Sequence, residues 1–472
     1  MELTPEQQLI IADLETKAEK LILNLGRYER YQQIKYDYYG ADHETRDYGI
    51  SVPNKMRFLK PGIGWASRAV NILSDRVVFD GFANDTFGVN DLFANINALP
   101  VINKSKHDAI ITGVAFVAVG DRDSDGDIDD SDDGTDPTVP QKILVPFTSL
   151  EATGFVDEQT GLLKAGMAVT RWAVPKVQVA GRKRLLAYDP RDYIVFTPQW
   201  TAIFKDMELD EIIPNPTGRC LLMPIVRRPT VERPLGQGRV NNVVRRIVDE
   251  VARLKRREEV AEEFYSLPQR YITGLAEGAK KDPNLDSAIG KVWAITKDED
   301  GDKPDIGQLP QMSIDGFVGA KKDKARDFCA ETGLTLRNLG YETGNPTSAD
   351  SLEAMSDDLV LEAQACQAEM GEQIKQIAIT LRMAMDGTNV IPDALKNMLP
   401  AWKPIFKVDI GQAGDAMFKL FTAMPELVGT VESYQMLGIG LRQAEQLQKL
   451  REANKTNSFM PAAPPASGGG IK

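Results

Sequence analysis

The sequence predicts an α+β chain of several parts, and three observations carry that expectation. Helical periodicity dominates both ends, a central block is rich in β-branched residues broken by Gly, Pro and Asp, and one very long helical stripe occupies the last third. At 472 residues the chain exceeds one ordinary core, so the length favours about three domains or one elaborate subunit.

The first element opens on Thr4-Pro5-Glu6-Gln7, a capping residue followed by proline at the first helical position and glutamine at the third. Apolar residues then recur at Ile10, Leu14, Ala18, Leu21 and Leu25, which predicts an amphipathic helix over 4–35. Aromatic residues crowd a glycine stop at Tyr36-Asp37-Tyr38-Tyr39-Gly40. A polar loop then leads to a second helix, Trp65 to Val78, with Ala69, Ile72, Leu73 and Arg76 on helical spacing and a turn signal at Asp80-Gly81-Phe82.

Residues 108–230 read as mostly β. The segment from Asp108 to Val119, with AIITGVAFVAV, is followed by KILVPF, MAVTRWAV, VQVAG, RLLAY and YIVFTP, each bounded by turn residues. Between the first two lies the most distinctive loop of the chain, which begins Asp121-Arg122-Asp123-Ser124-Asp125-Gly126-Asp127-Ile128 and runs to Asp132. It matches the calcium-loop template D-x-D-x-D-G. A hard cation wants six to eight oxygens, carboxylates at alternate positions converge on it, and glycine permits the sharp turn. Asp121, Asp123, Asp125, Asp127 and Asp132 are therefore the candidate metal ligands. Position twelve is Asp132 where an EF-hand carries Glu, and the preceding segment reads as strand, so the site would sit on a hairpin. A solvated acidic hairpin tip explains the same composition.

A helical pattern covers 234–266, with Val240, Val244, Ile247, Val251 and Leu254 in a narrow seam flanked by charges of both signs. A β-containing excursion of about 45 residues follows, with RYITG and KVWAIT as strands. Helix resumes at Ser313, carries Ile314, Phe317, Val318, Ala325 and Phe328, and ends near Thr332-Gly333. A loop then feeds the capping box Thr347-x-x-Asp350. From there Leu352, Met355, Leu359, Ala363, Cys366, Met370, Ile374, Ile377, Leu381 and Met385 hold one face over roughly 39 residues, about 58 Å. IFKVDIG reads as a strand, and helices are expected over 415–427 and 430–454, the second broken at Gly438 and Gly440. The Pro, Ala, Ser and Gly tail reads as disordered.

Composition excludes several classes. Lys and Arg number 56 against 68 Asp and Glu, a net charge of −12, which argues against tight nucleic-acid binding over the whole surface. Three cysteines, Cys220, Cys329 and Cys366, make neither a disulfide framework nor zinc spacing. Two histidines, His43 and His107, come without a supporting catalytic motif, and no phosphate-binding G-x-x-x-x-G-K-[ST] loop occurs. Mean hydropathy is −0.28, and no apolar run approaches the roughly 20 residues of a membrane helix. With no basic-then-apolar leader at MELTPEQQLI, the expectation is a soluble, cytoplasmic chain without membrane partners.

The order of these parts resembles the portal proteins of tailed bacteriophages, particularly those of long-tailed phages of actinobacteria. The resemblance rests on Tyr38-Tyr39-Gly40, on Arg76 to Phe82, on the run from Glu262 to Tyr271, and most specifically on Glu331-Thr332-Gly333 followed by Leu339-Gly340 and Asn345-Pro346-Thr347-Ser348-Ala349. It implies a wing over 1–235, a stem helix over 236–266, a small clip over 267–312 and a second stem helix over 313–333. A tunnel loop would span 334–349, the long helix and its return to the wing 350–413, a helical crown 414–457 and a disordered tail 458–472. The acidic loop would be a surface insertion at the wing.

By the same resemblance the chain is no enzyme and requires no cofactor, calcium at the acidic loop being the one candidate. It would form a ring, a dodecamer, at one capsid vertex, conduct double-stranded DNA during packaging and ejection, and reside in the virion after assembly in the host cytoplasm. Its partners would be other copies of itself, the terminase large subunit, a head-completion adaptor, and the major capsid and scaffold proteins. Asn338, Gly340, Thr343, Gly344, Asn345 and Thr347 are the candidate DNA-channel residues. An acidic wall suits such a channel, because basic residues would bind phosphates and raise friction. Two other classes use the same features. A helical scaffold or minor capsid protein predicts the same helices without the stem, clip and loop order, and a metal-dependent hydrolase would use the Asp121 to Asp132 carboxylates but lacks ligands on a rigid frame.

Overall fold

The computed structural model describes residues 4–45, 52, 56, 58, 60–121, 142–173, 189–265, 270–273, 305–308, 313–341, 357–405 and 410–458. The chain divides into two compact units, one of 1–40, 67–241 and 348–472, the other of 41–66 and 242–347.

The larger unit begins with α1 (Pro5–Tyr39), capped as its first residues require: Gln7 N donates to Thr4 Oγ1 at 3.4 Å and Thr4 N to Gln7 Oε1 at 3.0 Å. Then come α2 (Trp65–Ser74), β1 (Phe79–Ala83), α3 (Val89–Asn95), α4 (Ala98–Thr112) and the strands β2 (Val114–Asp121), β3 (Lys142–Phe147), β4 (Ala152–Val156), β5 (Leu163–Trp172), β6 (Pro190–Phe196), β7 (Trp200–Lys205), β8 (Glu208–Pro214) and β9 (Leu222–Val226). Strands β4 to β8 form an antiparallel meander in chain order, and β3-β2-β9 form a second antiparallel sheet.

Alternation along β5 and β6 decides how these layers stack. Ala165, Met167, Val169, Tyr193 and Val195 face one way and bury against Leu14, Ala18, Leu21 and Leu25 of α1. Ala168 and Phe196 face the other way and pack with Phe116, Ala118 and Leu222 of the three-stranded sheet. The result is helix, sheet, sheet.

In the smaller unit, α5 (Asn242–Tyr265) precedes β10 (Arg270–Thr273) and β11 (Asp305–Gln308), an antiparallel pair, and then α6 (Asp315–Thr332). Trp65 and Ala66 at the start of α2 belong to this smaller unit, and Phe328 on α6, fully buried, meets the Trp65 ring at 5.3 Å. The chain returns to the larger unit with α7 (Asp357–Asp386), α8 (Asp393–Lys396), β12 (Leu399–Trp402), α9 (Ile410–Ala423), α10 (Val431–Met436) and α11 (Leu441–Ser458). On α7 the predicted stripe from Leu359 through Ala363, Cys366, Met370, Ile374 and Ile377 to Leu381 is buried, while its expected start at Thr347 lies outside the described residues.

Five readings are corrected. Residues 108–112 are the last turn and a half of α4, which Gly113 ends, so the β run begins only at Val114. The second helix stops at Ser74 rather than Val78. Asp80-Gly81-Phe82, read as a turn, lies in β1 (Phe79–Ala83), which pairs with β12 where Phe79, Phe82, Phe93 and Trp402 pack edge to face. The helix expected from 234 or 236 starts at Asn242, because 236–238 must pass close to other backbone. Ile410 and Gly411, assigned to a strand, open α9. VQVAG, RLLAY, KVWAIT and the C-terminal tail from 459 lie outside the described residues.

Candidate channel loop, acidic loop and a buried clasp

The candidate channel residues begin where α6 stops. Gly333 ends that helix in the left-handed region (φ 63), and Thr335 then opens a short 3-10 turn, Leu336–Leu339. Asn338 closes it: its Oδ1 accepts from Thr335 N at 2.9 Å and from Thr335 Oγ1 at 2.7 Å. Gly340, exposed and at φ 84, ends the turn in a conformation that a Cβ would strain. Asn338 therefore spends its carbonyl oxygen on local structure, and the loop begins with a formed turn rather than open chain. Thr343, Gly344, Asn345 and Thr347 lie outside the described residues.

Of the candidate metal ligands, the described residues include Asp121 alone. It is the last residue of β2, directly opposite Lys142 on β3, and Lys142 Nζ sits 2.5 Å from its Oδ1. A cation using Asp121 would have to displace that ammonium. Asp123, Asp125, Asp127 and Asp132 lie outside the described residues, and among the described ones no group of three or more His, Cys, Asp or Glu could hold a metal ion.

The strongest electrostatic feature of the larger unit was not anticipated. Glu362 of α7 is mostly buried and takes Arg227 Nη2 on Oε1 and Arg239 Nη1 on Oε2, both guanidinium groups being almost fully buried. Arg228 Nη2 stands 3.8 Å away. Burial alone would raise the Glu362 carboxyl, but Arg239 and Arg227 outweigh it and hold the group below its ordinary range. Further along the same helix face, Glu369 accepts from Arg228 N at 2.9 Å, Gln373 Oε1 from Val226 N at 2.6 Å and Gln376 Oε1 from Arg219 Nη1 at 2.8 Å. Helix side chains thus take up the backbone donors of Val226, the last residue of β9, and of Arg228 just beyond it.

Backbone approach completes the clasp. Arg227 N donates to Gly113 O at 2.9 Å, Gln237 N to Arg227 O at 2.9 Å and Arg239 N to Ile110 O at 2.7 Å. A Cβ on Gly238 would lie 2.1 Å from Ile111 O, and one on Gly236 2.2 Å from Arg227 O. The clasp stands just before the chain leaves the larger unit at Asn241, and Glu362 comes from the segment that returns at 348.

A polar seam joins α1, α2 and α4. Lys106 Nζ donates to Ser74 O at 2.9 Å and to Val77 O, and Lys35 Nζ donates to Thr112 O, so two buried ammonium groups take up carbonyls at and just beyond the ends of α2 and α4. Burial lowers Lys106 to about 8. His107 bridges Ser74 Oγ and Tyr39 OH, each at 2.9 Å, and burial followed by Lys106 lowers it. Burial also raises Asp108 to about 6. Cys220 and Cys366 are buried and Cys329 half-buried, with burial pushing the Cys220 thiol up to about 12.

The sequence did carry weak signals for the clasp. Glu362 sits between the core positions Leu359 and Ala363, and Gly236-Gln237-Gly238 interrupts a helical pattern. Neither signal names its partner.

Comparison with known proteins adds a likeness that runs nearly end to end. No family model matches the chain. The portal protein of Mycobacterium phage D29 is 23% identical over 433 residues, covering 88% of this chain and 84% of the relative. That of Mycobacterium phage L5 is 22% identical over 436 residues, with the same two coverages. Along most of its length the chain therefore resembles the portal proteins of two mycobacterial phages. Among solved structures, a gene transfer agent virion covers 86% of this chain and 99% of its own at TM-score 0.42 and 12% identity. The neck of a native gene transfer agent particle, computed with C12 symmetry, covers 85% and 96% at TM-score 0.43 and 14% identity. These overlaps are too loose to carry an argument about fold or assembly.

Proposed function

We propose that the chain is the subunit of a ring-shaped channel, a dodecamer, at one capsid vertex, which conducts double-stranded DNA during packaging and ejection. The single observation that carries this reading is the likeness to two portal proteins over 88% of the chain. On this reading the subunit is structural rather than catalytic and resides in the virion. It docks the terminase large subunit first and a head-completion adaptor later, with the major capsid and scaffold proteins around it. The segment that follows α6 faces the duplex, with Asn338 and Gly340 at its formed start and Thr343, Gly344, Asn345 and Thr347 beyond. An overall acidic chain, at −12, repels phosphates and lets the duplex slide.

Calcium at Asp121, Asp123, Asp125, Asp127 and Asp132 is a proposal of its own, resting on the D-x-D-x-D-G spacing. Replacing Asp125 and Asp127 by Asn removes a calcium-dependent rise in melting temperature if those carboxylates bind the ion. A rise that survives the replacement ends the calcium reading.

The decisive experiment for the channel is electron microscopy of the purified chain with native mass measurement. Closed rings with a hole of roughly 20 Å, the width of a B-form duplex, are expected. Single chains at every concentration, and in procapsids assembled with this chain as well, would overturn the ring.

A further inference from the structure

The turn between β9 and α5 projects an apolar tip that nothing in the larger unit's core requires. Thr230 N donates to Arg233 O at 3.1 Å and Arg233 N to Thr230 O at 3.0 Å, which places Val231 and Glu232 at the apex. Val231 is 105% exposed, and Pro229 and Pro234 beside it are exposed as well. Below the apex the turn is fixed on every side. Gly236 N donates to Arg233 O at 2.9 Å, Arg228 holds a left-handed φ of 49° with its N–H on Glu369, and the Gly236–Gly238 crossing and the Glu362 clasp stand directly beneath. A non-glycine residue in that region persists only where its surroundings over-determine it. A tip held this firmly loses little conformational freedom when it is buried by a partner.

We propose that this turn docks on a second copy of the chain, against the outer β8 edge of its five-stranded sheet. The inference rests on the ring reading above, in which each copy meets two neighbours through two different surfaces. Chemistry selects β8. Strand β8 ends the sheet, with β7 as its neighbour among the described residues. Leu209 and Ile212 turn inward to the α1 core. The register sets Ile203 beside Glu211 and Thr201 beside Ile213, so the opposite face presents half-exposed Ile203 and Ile213 with exposed Glu211, and exposed Glu208 lies at the strand's start. An apolar pair rimmed by carboxylates complements an apolar tip flanked by exposed Arg228 and Arg233. Val231 would fill the Ile203 and Ile213 patch while Arg233 meets Glu211.

Native mass and electron microscopy of the full chain test this with Val231→Asp, Arg233→Glu, Glu211→Arg and the Arg233→Glu/Glu211→Arg double variant. Expected is a roughly tenfold or greater rise in the concentration needed for half-assembly for each single variant at an unchanged melting temperature, with recovery in the double variant. Should Val231→Asp lower the melting temperature, the charge pair alone decides. Wild-type rings that Val231→Asp forms equally well overturn the docking and leave the ring standing. Charge variants that do not recover in combination overturn the assignment to β8. A wild-type chain that never associates overturns the ring reading itself, and the docking with it.

Discussion

The clasp around Glu362 and the helix pair α5–α6 hold the chain by opposite means. In the clasp, Glu362 and two buried guanidinium groups join segments more than a hundred residues apart in sequence, and Gly236 and Gly238 let backbone cross close beside them. In the helix pair, apolar side chains such as Val251, Ala325 and Phe328 are buried, and ion pairs such as Lys324–Glu250 at 2.9 Å decorate a wet surface. A clasp of the first kind resists small displacement and fails abruptly. Apolar packing with surface charges tolerates substitution.

The largest effect is therefore expected at Glu362. Glu362→Ala removes the carboxylate that pairs with the buried Arg227 and Arg239 guanidinium groups, and breaking such a buried pair costs about 3–5 kcal/mol. Urea unfolding of the full chain measures it, and a loss below about 1 kcal/mol would erase the contrast between the two regions. The carboxyl also sets a pH signature. Its folded pKa is depressed, so its stabilisation is present above the unfolded value and is lost as pH falls through the folded one.

Gly238→Ala tests the crossing rather than the charge. Its Cβ would fall 2.1 Å from Ile111 O, and because backbone rather than a flexible side chain blocks it, a loss of about 1–3 kcal/mol is expected. Ala at Gly319 of α6, where nothing lies within 4 Å, is the matched control and should stabilise by up to about 1 kcal/mol.

The same contrast explains what was legible in the sequence. The stripe Leu359 to Leu381 and the seam of α1 were readable because their information is periodic and local. Val114 to Val119 was readable as strand, yet Asp108 to Thr112 was misassigned, since Ile110 and Ile111 have the same β-branched character in the last turn of a buried helix. The pairing of Glu362 with Arg227 and Arg239 was not legible, because a charge on a helix flank looks like any solvated charge until its partners arrive through the fold. Asn338 shows what local sequence does encode: the Thr335 and Asn338 spacing allows the side-chain contact that closes the turn Leu336–Leu339.

Asp108 sharpens the comparison by reversing the sign of Glu362. Burial raises its carboxyl from 3.8 to about 6, so the folded chain binds the extra proton between those values and stability falls as pH rises through that window. Asp108→Asn should gain about 1–2 kcal/mol at pH 7, discounted for its remaining solvent exposure, and gain nothing below pH 3.8. Thermal melts at pH 7 and pH 3.5 measure the difference, and an equal gain at both would remove desolvation as its cause.

The smallest effect is expected in the helix pair. Lys324 Nζ lies 2.9 Å from Glu250 and 3.3 Å from Asp327, and hydrogen bonding to Glu250, then to Asp327, raises its pKa. The ammonium is nonetheless solvated, and pairs of this kind contribute about 0–1 kcal/mol. Lys324→Ala should therefore lower stability by less than 1 kcal/mol, and 0.5 M salt should reduce even that difference, since the Debye length falls to about 4 Å. The Glu362 loss should stay nearly constant over the same range of salt, because its partners are out of reach of the solvent ions. A Lys324 effect as large and as salt-insensitive as that of Glu362 would mean that α5 and α6 are locked by charge after all, and the contrast between the two regions would disappear.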